Sequence, residues 1–292
     1  MAIGIGIIAS LFFASTFILN RAMDLSGGHW IWSAVLRYLF TIPFLAVIVA
    51  MRGNLRPVMN SLKAQPGTWF GWSTIGFGLF YAPLCFAAAY GPAWLVAGTW
   101  QITIIAGMLL EPRKIPRREL ITSLFILTGI LMIQIQPAAS GEAGQLLAGF
   151  VPVLVAAFAY PLGNRKMMAV CQGRLDVFQR VLGMSLASLP FWFLLSIFGL
   201  ASAGLPGTGQ VAQSLLVAIL SGIVATVLFF YATDLARNDA RQLAAVEATQ
   251  SGEVIFTILG ETMLLGTPLP LGLSLIGSVV VVLGMIIHSI RL

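Results

Sequence analysis

Two glutamates, Glu247 and Glu253, stand six residues apart in the stretch AAVEATQSGEVIF, Ala244 to Phe256, inside a chain that is 59% hydrophobic and 9% charged. On a helix they fall about 120° apart around the axis and about 9 Å apart along it. Gln250 lies between them, and Thr249, Ser251 and Thr257 widen the same polar arc, so this face cannot be turned toward lipid. A carboxyl group in such surroundings reaches water, finds a partner or does chemistry, and the chemistry open to it is reversible protonation and the binding of solute. Glu253, near the centre of the apolar stretch, is expected to be a proton-coupling or substrate-binding group, with Gln250 beside it and Glu247 guarding the cytoplasmic mouth. The competing reading makes Glu253 a hydrogen-bonded carboxyl that pins its helix to its neighbours.

Other residues could line the same path. Arg37 lies inside an apolar run and is expected to pair with an acid or face a vestibule, whereas Arg180 starts a later run and is expected to snorkel to the surface. Trp100, Gln101, Tyr81 and Tyr231 offer polarizable or hydrogen-bonding walls, and an indole facing a cation contributes about 0.5–2 kcal/mol. Trp30, Trp32, Trp69 and Trp72 read better as interfacial anchors. Asn20 and Asn164 end their helices and could cap or line the pathway, and Glu111 and Glu261 are expected to serve turns. His29 and His288 lie far apart, and Cys85 and Cys171 match no ligand spacing, so no metal site is expected. No phosphate-binding glycine loop occurs, so ATP is not expected to act here, and no cofactor or catalytic set is read.

The elements that must position these groups are membrane helices. Residues 2–20, 64–110, 120–141, 143–164, 181–233 and 262–290 contain no Asp, Glu, Lys or Arg, and about 20 helical residues cross a bilayer core. With turn signals such as Gly91-Pro92 and the segment GLPGTG at 204–209, the pattern predicts ten helices, at 2–19, 30–50, 69–89, 92–110, 119–136, 146–164, 176–199, 211–233, 243–262 and 271–290. The short link at 91–92 predicts a tight antiparallel pair on either side of it. The opening residues read as the first membrane helix and not as a cleaved leader. Thirteen of the sixteen basic residues fall in one set of loops, which puts both termini in the cytoplasm of a cell inner membrane. The net charge of +6 therefore reports membrane topology and not affinity for nucleic acid.

An internal repeat organises these helices. FILNRAM at 17–23 returns as PLGNRKM at 161–167; Phe80-Tyr81-Ala82 returns as Phe230-Tyr231-Ala232, Thr99 as Thr249 and Glu111 as Glu261, while Arg37 and Pro43 find a looser echo in Arg180 and Pro190. An odd number of helices per copy inverts the second against the first, giving an all-α integral membrane protein of ten transmembrane helices in two inverted five-helix repeats, residues 1–139 and 140–292. Such halves meeting around a mid-membrane site are the architecture of alternating access.

The segment LGETMLLGTPLPLGLSLIGSVVVVLGMII at 259–287, its poorer counterpart at 109–132 and FAAAYGPAWLVAGTWQITI at 86–104 resemble the drug/metabolite transporter superfamily, EamA-like branch, and its multidrug-resistance efflux members. That resemblance covers nearly the whole chain and implies a central cavity lined by helices 1, 3, 4, 6, 8 and 9. It also implies export of small metabolites or drugs, driven by protons in some members. The four-helix pumps of that superfamily carry an essential acid in their first helix; here the matching stretches read Phe12-Phe13-Ala14-Ser15 and Ala156-Ala157-Phe158-Ala159. The expected activity is proton-coupled export of small organic solutes, cationic ones included, by a monomer or homodimer in the lipid bilayer. The rival readings are an uncoupled facilitator and an intramembrane enzyme acting on lipids.

Overall fold

A computed structural model describes residues 1–53, 55–110, 117–139, 143–236, 239, 242, 245–246 and 248–290, and among them the ordered elements are all helical. In chain order these are α1 (Ala2–Leu25), α2 (Trp30–Met51), α3 (Leu55–Ala64), α4 (Pro66–Ala87), α5 (Ala93–Leu109), α6 (Arg117–Ala139), α7 (Ala143–Cys171), α8 (Val177–Ala187) and α9 (Leu189–Ala203). A composite α10 follows, made of Thr208–Val217, Ala218–Ala225 and Thr226–Ala236, then α11 (Gly252–Leu265) and α12 (Leu273–Ile290). Among the described residues, five spans are long and apolar enough to cross a bilayer: Ala2–Leu25, Trp30–Met51, Pro66–Ala87, Gly144–Cys171 and Thr208–Thr233. Helices α8 and α9 make a sixth if their 45° bend is taken within one span, and Ala93–Leu109, Ile121–Ile135 and Leu273–Ile287 are shorter apolar helices. Pro190 in the first turn of α9 lacks an N–H to continue the α8 ladder, which accounts for the bend.

The surface confirms the solvent. Met263, Leu194 and Phe198 are 82%, 69% and 60% exposed, while Ser, Thr and Gln side chains are buried, the reverse of what water selects. Helix α3, which the sequence reading leaves as connecting chain, is amphipathic: Val58 is buried while Arg56, Asn60 and Lys63 are exposed. The tight pairing expected across Gly91-Pro92 does not form. Pro92 is extended and turns α5 away, so that α5 packs chiefly on α1, α7 and α11.

Close contact between helices falls at glycines. A Cβ on Gly129 of α6 would lie 2.8 Å from the carbonyl oxygen of Gly277, and one on Gly277 of α12 would lie 2.6 Å from that of Gly129. Gly76 and Gly163 bring α4 and α7 together in the same way. Elsewhere α4 packs on α7, α1 on α10 and α11, and α2 on α8, α9 and α10. Four of these elements depart from α-helical geometry. Thr74–Gly78 in α4 and Ala218–Ala225 in α10 are π-helical, α5 is interrupted at Gln101, and a 3-10 turn, Thr249–Ser251, leads into α11. The Gly129–Gly277 contact predicts that either glycine replaced by leucine costs about 1–3 kcal/mol, read as a lower melting temperature in detergent. Gly144→Leu, at a position with nothing within 4 Å, should melt with the wild type.

Candidate functional site

Interior polar groups converge where the irregular helices meet. From α1, Thr16 donates to the Ser221 hydroxyl on the π-helical stretch of α10 at 2.6 Å, and Asn20 donates through Nδ2 to the Tyr81 hydroxyl of α4 at 3.2 Å. Arg37 of α2 donates through Nη2 to the same Ser221 oxygen at 3.2 Å. Its guanidinium carbon lies 3.9 Å from the centre of the Tyr81 ring. These contacts fix the plane of the guanidinium, a group that stays charged in proteins. Among the described residues they leave Nη1 buried with no hydrogen-bond partner.

Aromatic rings form one wall. Phe80, Trp100 and Tyr160 from α4, α5 and α7 are mutual neighbours, with centroids 5.1 Å apart for Phe80–Trp100, 4.7 Å for Phe80–Tyr160 and 5.6 Å for Trp100–Tyr160. Tyr38 continues the wall by stacking on Trp192 at 4.6 Å. Tyr160 lies within electrostatic reach of Glu253, Arg37 and Arg180, and 39% of its surface is open. Glu253 itself is 6% exposed, and among the described residues no donor lies within hydrogen-bonding distance of its carboxylate. Arg180 is half-buried, and its Nε is buried with no hydrogen-bond partner among the described residues. The ion pairs among the described residues, Arg21–Asp24 at 3.0 Å and Arg52–Asp176 at 3.4 Å, involve none of these three charges.

One end of the bundle is closed by a different acid. Glu261, fully buried near the end of α11, accepts from the backbone N–H groups of Ala93 and Trp94 at 2.8 and 3.0 Å. It thus caps the start of α5 from across the bundle, more than the local turn role the sequence suggests. Arg21 adds to this seal by donating to Asp24 at 3.0 Å and to the Ala88 carbonyl at 3.1 Å.

Of the residues singled out in the sequence, Trp100 packs on Tyr160, Asn20 bonds the Tyr81 whose face carries Arg37, and Arg37 and Glu253 lie within electrostatic reach of Tyr160. Gln101 is buried but donates within its own helix to the Ala97 carbonyl at 3.1 Å, and Gln250 is half-buried in the 3-10 turn before Glu253. Asn164 donates to the Tyr160 carbonyl at 2.9 Å and so touches the backbone behind the site. Tyr231 is 49% exposed, and among the described residues no ring contact or hydrogen bond joins it to the cluster. Glu247 and Glu111 lie outside the described residues. Sequence reasoning missed Thr16, Ser221, Tyr38 and Trp192, which carry no charge and whose only signal is polarity or size within apolar runs. Replacing Glu261 by alanine is expected to cost about 1–2 kcal/mol, and glutamine, which keeps one acceptor, should recover part of that in the same thermal melt.

Residues 1–292 match the family described as "EmrE: Putative multidrug resistance efflux transporter". The chain is 55% identical over 304 aligned positions to the uncharacterized protein YjlA of Bacillus subtilis (strain 168), covering 99% of this chain and 94% of that one. It is 50% identical over 262 positions to an uncharacterized 42.1 kDa protein of Shouchella clausii, encoded in the intracellular alkaline protease 3' region, covering 85% and 69% of the two chains. A solved crystal structure with 17% sequence identity superposes with a TM-score of 0.63, covering 98% of this chain and 95% of the other, which establishes a shared fold.

Proposed function

Because the chain belongs to the EmrE-type family of multidrug resistance efflux transporters, we propose that it exports small organic solutes across the cytoplasmic membrane by alternating access, in exchange for protons taken up at Glu253. The observation that carries this reading is an acid in the apolar interior that no hydrogen bond holds among the described residues. A carboxyl that pinned helices together would have donors around it, as Glu261 has. The titratable and charged neighbours on the packed elements are Tyr160 of α7 and, through that residue, Arg37 of α2 and Arg180 of α8.

Alternating access follows from two inverted five-helix repeats, residues 1–139 and 140–292, which together would make ten membrane crossings. Matching irregularities support the repeat. The π-helical stretches Thr74–Gly78 and Ala218–Ala225 fall at corresponding places in α4 and α10, as do the interruption at Gln101 and the 3-10 turn Thr249–Ser251. Broken helices whose backbone lines a cavity are the usual site-forming device of such transporters. The distribution of basic residues supports cytoplasmic termini. On this reading the protein is a carrier, not an enzyme.

Purified protein in proteoliposomes tests the coupling, with a trapped pH dye reporting proton movement as labelled solutes are driven by an imposed pH gradient. Wild type should couple the two fluxes, and Glu253→Gln should lose gradient-driven accumulation while keeping downhill solute exchange. Full gradient-driven accumulation by Glu253→Gln would overturn the assignment.

A further inference from the structure

Arg37, Arg180 and Glu253 each lie within electrostatic reach of Tyr160, and among the described residues none of the three pairs with another. Arg37 is committed on two sides, to Ser221 through Nη2 and to the Tyr81 face, and is free on the third, where Nη1 is buried and unbonded. Arg180 leaves Nε in the same state. An arginine is charged whatever its surroundings, and a fork of donors with no acceptor is completed best by a carboxylate or phosphate. Glu253 has the complementary want, a carboxylate in the interior with no donor among the described residues.

We propose, building on the transport reading above, that the substrate class is the small zwitterion. Its anionic group binds at Arg37, and its ammonium group replaces the proton on Glu253. A solute that is only a cation would leave Arg37 unpaired, and a solute that is only an anion would meet Glu253 unneutralised. A zwitterion leaves neither end unpaired, and its body lies against Phe80, Trp100 and Tyr160, where an aromatic or extended apolar spacer fits the ring wall. Guanidinium and carboxylate are kept apart because no direct ion pair forms between them, which leaves both to the ligand.

The test is equilibrium binding to the full-length protein in detergent, by calorimetry, with three probes that share a benzene ring: 4-(aminomethyl)benzoate, benzoate and benzylamine. The zwitterion should bind about tenfold or more tightly than either singly charged probe, as expected for one additional charge-assisted contact. Arg37→Gln should weaken 4-(aminomethyl)benzoate and benzoate and spare benzylamine; Glu253→Gln should weaken 4-(aminomethyl)benzoate and benzylamine and spare benzoate. Arg37→Lys, which keeps the charge without the fork, should fall between wild type and Arg37→Gln. Benzylamine binding as tightly as the zwitterion, equal losses of all three probes in both variants, or no saturable binding of the zwitterion by wild type would each overturn the proposal. Binding needs no gradient, so selectivity for the zwitterion without proton-driven flux would sink the coupling mechanism and leave this assignment standing. Coupled flux of other solutes with no zwitterion selectivity would do the reverse.

Discussion

Hydrocarbon offers no hydrogen-bond partner, so a chain that lives in it must satisfy its polar groups from within. Most of this interior obeys by the shortest route. Thr41 donates to the Arg37 carbonyl at 2.7 Å, Thr99 to the Leu95 carbonyl at 2.7 Å and Ser185 to the Val181 carbonyl at 2.8 Å, each closing its hydroxyl onto its own helix. Glu261 does the same over a longer distance, giving the buried N–H groups at the start of α5 the acceptor that no preceding turn supplies. Against that background Arg37 Nη1, Arg180 Nε and the Glu253 carboxylate stand out, because the charged groups are the costliest to leave unpaired. Their being gathered around one tyrosine is what turns three separate exceptions into a site.

The same constraint explains where the helices break. A regular α-helix has no backbone group left to offer, whereas a π-helical or 3-10 stretch shifts the register and changes which side chains face inward. Ser221 accepts from both Thr16 and Arg37 because it lies in such a stretch. Around these irregular segments the helices still pack closely. Gly6 and Gly252 let the start of α11 approach α1, with the Thr249 and Ser10 side chains lying where a Cβ would go. Precise positioning of a polar cluster on bent helices thus depends on small residues that leave the bends no slack.

How much of this the sequence discloses depends on the kind of signal. Length and charge of the apolar runs are strong signals, and the helices fall close to where they predict, with α3 omitted because ten amphipathic residues at a membrane surface look like loop in a search for apolar runs. Charged residues in those runs were also legible, since Arg37 and Glu253 are conspicuous by type alone. Their relation was not: nothing in one dimension says that Tyr160 would stand between them or that no ion pair would form. Tyr231, chosen because it repeats Tyr81, shows the limit of repeat logic. Tyr81 is fully buried against Arg37 and Tyr231 is half exposed, so the two tyrosines that the expected repeat would pair do not share surroundings.

That inequality bears on the mechanism. On the proposed repeat Arg37 and Arg180 would occupy related places, and both lie within electrostatic reach of Tyr160, so the positive charge would be duplicated. The acid is not. At the offset that relates Thr99 to Thr249, the first-half counterpart of Glu253 is Thr103, a neutral residue whose hydroxyl donates to the Ala157 carbonyl at 3.3 Å. Two symmetric acids would give each half its own ionisable site and allow two protons to be carried at once. On the proposed alternating access, one acid and one self-satisfied hydroxyl would leave a single group to be visited from both sides of the membrane. On the proposed exchange, proton and substrate then compete for the same atom, and competition at one atom suffices to link the two fluxes without any long-range signal.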